Sequence, residues 1–230
     1  FSGTAKSPVT IETANPTSPN VVLFSPAGAP HPYFAEFGWV SDGAANIKLP
    51  DRDTLWTQEG SGNLTPDAPV TLSWNNGSGL TFKRTIAVDQ DYLFTVSDKV
   101  ENASGSEVTL YPFARLYRFG TPLVQGFYIL HEGLIGVAGE QGLQEITYKD
   151  ALKNGAKTFK DVKGGWLGVT DKYWAAALIP EQTIPYRANV SGTAKGTGGF
   201  DDSYQTDYLL EAIKIPNGQS HTLEQRLYAG

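Results

Sequence analysis

Apolar runs along this chain stop at strand length. The longest, near 173–180, closes on Pro180, and none approaches the roughly eighteen apolar residues of a membrane helix. With 25 Gly and 14 Pro, turns interrupt the sequence before a 3.6-residue period can develop. What remains is a set of about fifteen short strands joined by turns. The sequence therefore predicts an all-β fold, a large antiparallel sandwich with one or two short helices. A chain of 230 residues can form such a sandwich as one domain, 1–230, with 1–20 as a loosely ordered lead-in.

The most informative stretch is GGWLGVTDKYWAAALIP, residues 164–180. Gly164 and Gly165 give backbone freedom just before Trp166, a bulky indole expected in a core. Trp166–Val169 reads as a buried strand, Thr170-Asp171-Lys172 as a turn, and Tyr173–Ile179 as the return strand. Pro180 ends the ladder because it has no amide proton to donate.

Elsewhere the pattern is similar. Strands are expected at Val9–Glu12, Val21–Phe24 and Tyr33–Val40, the last with Phe37 and Trp39 on one face. Residues 42–62 read as loop. Val70–Trp74 and Leu80–Val88 flank Asn75-Asn76-Gly77-Ser78-Gly79, a strong hairpin signal. Tyr92, Phe94 and Val96 line the next strand, with 98–107 as its polar turn. Val108–Phe119 alternates an aliphatic face with an aromatic and cationic one, so both faces are expected to be covered. Strands continue at Phe127–Val137 and Leu143–Tyr148, and 149–155 is the best helix candidate, ending at Gly155. After Tyr186–Val190 comes a loop over 191–199. Tyr204–Ile215 and His221–Tyr228 then read as a final hairpin, with Leu223, Gln225 and Leu227 on one side.

Six segments in order resemble the periplasmic domain of YidC-type membrane protein insertases, most closely the alphaproteobacterial form. They are VVLFSPAGAPHPYFAEFGWV at 21–40, LTPDAPVTLSWNNGSGLTFKRTIAVDQDYLFTV at 64–96, VTLYPFARLYRFGTP at 108–122, ILHEGLIGV at 129–137, the 164–180 stretch and LYAG at 227–230. In the fifth, Gly164, Gly165, Trp166, Asp171, Tyr173, Trp174 and Pro180 form the structural family motif. The resemblance implies a β-supersandwich of the galactose-mutarotase type. It also implies a non-catalytic scaffold or docking domain in the periplasm, part of an inner-membrane protein. Its implied partners are translocation proteins such as SecDF and SecYEG, together with nascent membrane proteins. The family carries a further Gly- and Asp-rich strand segment before Ser18-Pro19-Asn20; here the join at Ala14-Asn15-Pro16 is abrupt, which leaves the N-terminal strand count open.

The rival reading is a carbohydrate-binding or aldose-epimerase-like domain on the same fold, because mutarotases use histidines and a carboxylate. The three histidines are scattered. His31 lies between two prolines and reads as a surface turn residue, and His221 reads as solvated after a turn. His131 adjoins Glu132, but strand neighbours point to opposite faces and cannot converge. Asp201-Asp202 reads as a loop pair without partners, and no spacing suits a metal. Trp39, Trp74, Trp166 and Trp174 are expected in the core, with only Trp56 exposed enough to serve as a sugar platform. Arg115, Tyr117 and Arg118 could line a groove, although a salt-bridged face is the simpler account. No catalytic residue, cofactor site or metal site is expected.

Charge and composition narrow the partners further. The net charge is −6 without a basic cluster, which argues against nucleic acid and gives no polybasic membrane contact. With 0 Cys, disulfides and thiol chemistry are excluded. With 0 Met, Phe1 is expected to be a cut end, and the chain an excised soluble fragment.

Overall fold

A computed structural model describes residues 4–6, 20–43, 47–122, 130–171, 173–195 and 201–230. Seventeen strands and one α-helix occur among the described residues. In chain order the first eight strands are β1 (Thr4–Lys6), β2 (Asn20–Val22), β3 (Tyr33–Ser41), β4 (Thr57–Glu59), β5 (Val70–Asn75), β6 (Leu80–Val88), β7 (Leu93–Asn102) and β8 (Val108–Phe119). Then come β9 (Gly133–Ala138), β10 (Leu143–Thr147), α1 (Tyr148–Asn154), β11 (Lys157–Val162), β12 (Gly165–Thr170) and β13 (Ala175–Ile179). The chain closes with β14 (Tyr186–Thr193), β15 (Ser203–Leu210), β16 (Ile213–Ile215) and β17 (Ser220–Ala229).

Every pairing is antiparallel. The larger sheet has nine strands in the order β10-β9-β12-β13-β17-β7-β6-β5-β4. The smaller has the order β11-β14-β15-β8-β16: β15 on Phe113–Phe119 and β16 on Val108–Leu110 follow each other along one side of β8, and β3 lies along its other side. Alternate residues of the two sheets form the core: Val108, Leu110, Ala114 and Leu116 from β8 cluster with Val100, Leu223, Leu227 and Leu178 from the large sheet. β1 and β2 pair as a separate ribbon. The expected all-β supersandwich is therefore present.

Several local expectations are met. β12 and β13 form the hairpin read from 164–180, with Leu167 opposite Leu178; the return strand begins at Ala175 rather than Tyr173, because Asp171 N donates to the Trp174 carbonyl and keeps 173–174 in the turn. β5 and β6 pair from Val70↔Ile86 to Asn75↔Thr81 around the Asn-Gly turn. The helix is capped by the Thr147 side chain, which accepts from Asp150 N, and ends at Gly155.

Others are corrected. β16 and β17 are not a hairpin: β16 joins β8 in the small sheet, while β17 joins β7 and β13 in the large one. Residues 98–102 are strand, so Asp98, expected in a turn, is buried within β7. Tyr92 stands outside β7 with φ of 62° and is exposed. Residues 57–59 of the expected loop form edge strand β4, and 191–193 extend β14. The strand around Val21 begins at Asn20 and stops at Val22; Phe24 beyond it enters the core. The Val9–Glu12 candidate, the Ala14-Asn15-Pro16 join, Phe127–Ile129 and residues 196–199 of the expected loop lie outside the described residues, and the expected 127–137 strand begins, among the described residues, only at Gly133.

The tryptophans also depart from expectation. Trp39 is buried, but Trp74, Trp166 and Trp174 are half-buried, and Trp56, expected to be exposed, is half-buried as well because it packs against the core. Trp166 stands opposite Val137 at the end of β12, where only part of its ring is covered. Trp166→Ala is accordingly expected to cost about 1–2 kcal/mol, against about 3–5 kcal/mol for Phe82→Ala at a fully buried position. Chemical denaturation of the two variants compares them directly.

Candidate functional site

The small sheet does not cover the whole inner face of the large one. Between them a cleft of about 210 Å³ is lined by Phe34, Ala35, Glu36 and Phe37 of β3, and by Arg84, Ile86, Phe94, Val96 and Leu227 of β6, β7 and β17, with Phe24 beside them. The β6, β7 and β17 residues alternate, so they present one face of the large sheet. The four β3 residues are consecutive. A cavity touching consecutive strand residues faces the edge of the strand rather than one side of it. β3 pairs with β8 on one side; on its other edge Tyr33 is bridged by Ser25, and beyond that bridge no strand pairs with it among the described residues.

The polar groups of the cleft are neutralised in pairs. Arg84 holds Asp98 with two bonds, Nε to Oδ1 at 2.6 Å and Nη2 to Oδ2 at 2.9 Å. Its guanidinium stacks on the rings of Phe37 and Trp56, with centroids at 6.0 and 5.7 Å. Arg115, one of the candidate groove residues, binds Glu36 at 2.6 Å, and Tyr117 stacks on Phe34 at 5.8 Å. The result is an apolar, uncharged slot beside a row of strand-edge peptide groups.

A second, polar cavity of about 540 Å³ lies at one end of the sandwich, among His31, Arg118, Thr121, Lys195, Asp201 and Asp202. Here too charges are paired. Lys195 Nζ meets Asp201 at 2.8 Å and lowers the pKa of that carboxyl; Thr121 donates to Asp202 at 3.1 Å, and Lys195 N donates to it at 2.7 Å. The two aspartates thus have partners, contrary to the sequence reading. Arg118 Nη1 bonds Asp171 at 2.6 Å and Tyr148 Oη at 3.1 Å, and its guanidinium lies 4.9 Å from the Tyr33 ring centroid. Burial works against the Arg118 charge, but Tyr148 and Asp171 more than offset it, so its pKa is raised. Burial likewise pushes the Tyr33 and Tyr148 hydroxyls far above their usual range. Asp171 therefore does more than turn the chain: it ties the β12–β13 turn to β8 and α1.

The remaining motif residues have structural surroundings. The Gln182 side chain clamps Gly165, accepting from its N–H at 2.9 Å and donating to its carbonyl at 3.1 Å, and Tyr186 Oη donates to the Gly164 carbonyl at 2.7 Å. Pro180 is buried, Trp174 half-buried and Tyr173 exposed.

The histidines do not converge. His31 is an exposed loop residue, as read. His131 and Glu132 precede β9 rather than lying in it, so strand alternation does not separate them; instead His131 Nε2 is engaged by the Leu134 carbonyl at 3.0 Å. His221 starts β17, roughly 30 Å along that strand from its far end. It is half-buried rather than solvated, and burial lowers its pKa. Sequence reading missed the cleft and the Arg84–Asp98 pair, because both depend on which strand lies beside which.

Residues 11–230 match the sequence model of the YidC periplasmic domain. The chain is 53% identical over 219 residues to the membrane protein insertase YidC of Nitrobacter hamburgensis, covering 95% of this chain and 35% of that protein. It is 52% identical to that of Bradyrhizobium diazoefficiens, with the same coverage, and 42% identical to that of Rhizobium meliloti, covering 95% of this chain and 36% of that protein. It thus spans little more than a third of these relatives' length. Among solved structures, a galactose mutarotase related enzyme from Lactobacillus acidophilus superposes with a TM-score of 0.56 at 8% identity, over 78% of this chain and 72% of that one. A galactose mutarotase-like protein from Lactobacillus casei gives 0.52 at 11% identity, over 85% of each chain. At such identities the likeness concerns the fold alone.

Proposed function

Because this chain belongs to the YidC periplasmic-domain family, whose curated members above are named as insertases rather than as sugar enzymes, we propose that it is a non-catalytic docking domain. In this reading residues 1–230 form one periplasmic unit of an inner-membrane protein. It holds a partner polypeptide of the translocation machinery while membrane insertion itself takes place elsewhere in the parent. The observation that carries the reading is the cleft along the edge of β3. An extended segment laid there would gain strand-edge hydrogen bonds and bury apolar side chains against Phe37, Phe94 and Ile86. Since both local ion pairs are internally satisfied, the fitting segment is uncharged.

The test places a charge in the slot. Phe37→Glu in the intact parent is expected to weaken co-purification of translocation partners at least about tenfold while insertion of a model substrate is spared. Removal of much of 20–200 should act in the same direction. Unchanged partner association together with abolished insertion would show that the domain works in insertion itself.

A further inference from the structure

Seven large hydrophobic residues are exposed among the described residues, and four of them, Tyr92, Leu130, Tyr173 and Tyr228, gather at one end of the large sheet. Strand register establishes the grouping. Leu130 lies three residues before Gly133, which pairs with Thr170; Tyr173 follows in the β12–β13 turn. Ala175 N donates to the Gly230 carbonyl at 2.7 Å, Tyr228 pairs with Leu93, and Ala229 N donates to the Tyr92 carbonyl at 3.2 Å. The row thus crosses five adjacent strands, β9-β12-β13-β17-β7, a span of about 19 Å at ordinary strand spacing. Of the other exposed residues, Leu143 and Val40 lie towards the opposite end, since Leu143 pairs with Val137 and Val40 with Tyr111.

We propose that this end of the sandwich rests on the interfacial zone of a lipid bilayer, with the tyrosines, Leu130 and half-buried Trp174 as its contact surface. The inference rests on the reading of the chain as part of a membrane-anchored protein. Tyrosine and tryptophan favour the headgroup level, where the ring leaves water and the polar atom stays wet. Tyr92 sustains a positive φ of 62°, a conformation that favours glycine or asparagine, so the sequence keeps a large ring where turn geometry would prefer a small residue. Charge specifies the lipid. Asp89, Asp91 and Glu132 flank the row, Lys172 directly precedes Tyr173 in the sequence, and the nearby cations Arg118 and Lys195 are paired with Asp171 and Asp201, which leaves no net basic patch. The contact is therefore with zwitterionic headgroups by aromatic partition, not with anionic lipid by attraction.

The chain has 0 Cys, so single labels are clean. An environment-sensitive fluorophore on Tyr173→Cys, titrated with phosphatidylcholine–phosphatidylethanolamine vesicles carrying a brominated-acyl quencher, is expected to shift to the blue and be quenched. The same label on Leu143→Cys is expected to remain in water. The variant Tyr92→Asn, Leu130→Ser, Tyr228→Ser should lower vesicle partition about tenfold with unchanged thermal unfolding. Equal water exposure of both labels at saturating lipid would overturn the proposal and leave this end to a protein partner. Binding that requires anionic lipid and disappears in salt would overturn it as well. Neither outcome touches the cleft, whose reading is tested by partner co-purification.

Discussion

Asp98→Ala is expected to destabilise the domain by about 3–5 kcal/mol, the cost of stranding one member of a buried ion pair. The Asp98 and Arg84 side chains are 3% and 16% exposed, and the pair is bidentate at 2.6 and 2.9 Å. Without Asp98, the guanidinium remains beneath Phe37 and Trp56 with its charge uncompensated. Two comparisons isolate the mechanism. Arg84→Met combined with Asp98→Leu removes both charges while keeping most of the packing, and should recover most of the loss. Glu59→Ala breaks the Lys83–Glu59 pair, which is 35% and 42% exposed, and should cost under about 1 kcal/mol. Denaturant unfolding of the set is the measurement. If Asp98→Ala unfolds like the parent, the pair is not a buried element of the cleft floor.

Gly165→Ala is expected to cost about 3–5 kcal/mol, or to prevent folding at growth temperature. Two penalties add. The residue has φ of +96°, which costs an L-amino acid on the order of 1–3 kcal/mol. A Cβ there would also collide with the Val137 carbonyl of the neighbouring strand, and relieving such overpacking costs about 1–3 kcal/mol more. Gly142→Ala separates the terms, because Gly142 has φ of +73° but open space around its Cβ position. That control should lose the backbone term alone, about 1–3 kcal/mol, and less than Gly165→Ala. Equal losses for the two variants would mean that β9 moves aside and that the close approach of β12 is not a rigid feature.

The contrast between these glycines shows what local sequence carries. That Gly164-Gly165 permits an unusual turn before Trp166 is readable from residue types, since only glycine occupies such backbone without strain. That Gly165 lies against Val137, and is held by the amide of Gln182, is not readable, because both partners arrive from distant sequence. The same division runs through the candidate site. The face carrying Arg115 and Tyr117 was visible as an alternation along β8, but their partners Glu36 and Phe34, like Asp171, the partner of neighbouring Arg118, come from other elements. Trp56 looked open in its loop, yet it packs on Arg84.

By itself the sequence determined the all-β class, the β5–β6 and β12–β13 hairpins, the capped helix and the alternating faces of β8 and β17. Each follows from interactions between residues a few positions apart: turn chemistry, capping and a period of two. Tertiary structure decided that β16 and β17 part into different sheets, that Asp98 is buried, that Trp166 is only half covered, and that β3 leaves an edge open above an apolar slot. These outcomes turn on which strand lies beside which. A strand with one apolar face can bury it against many partners, so its own residues specify the face while only the assembled sheets specify the neighbour.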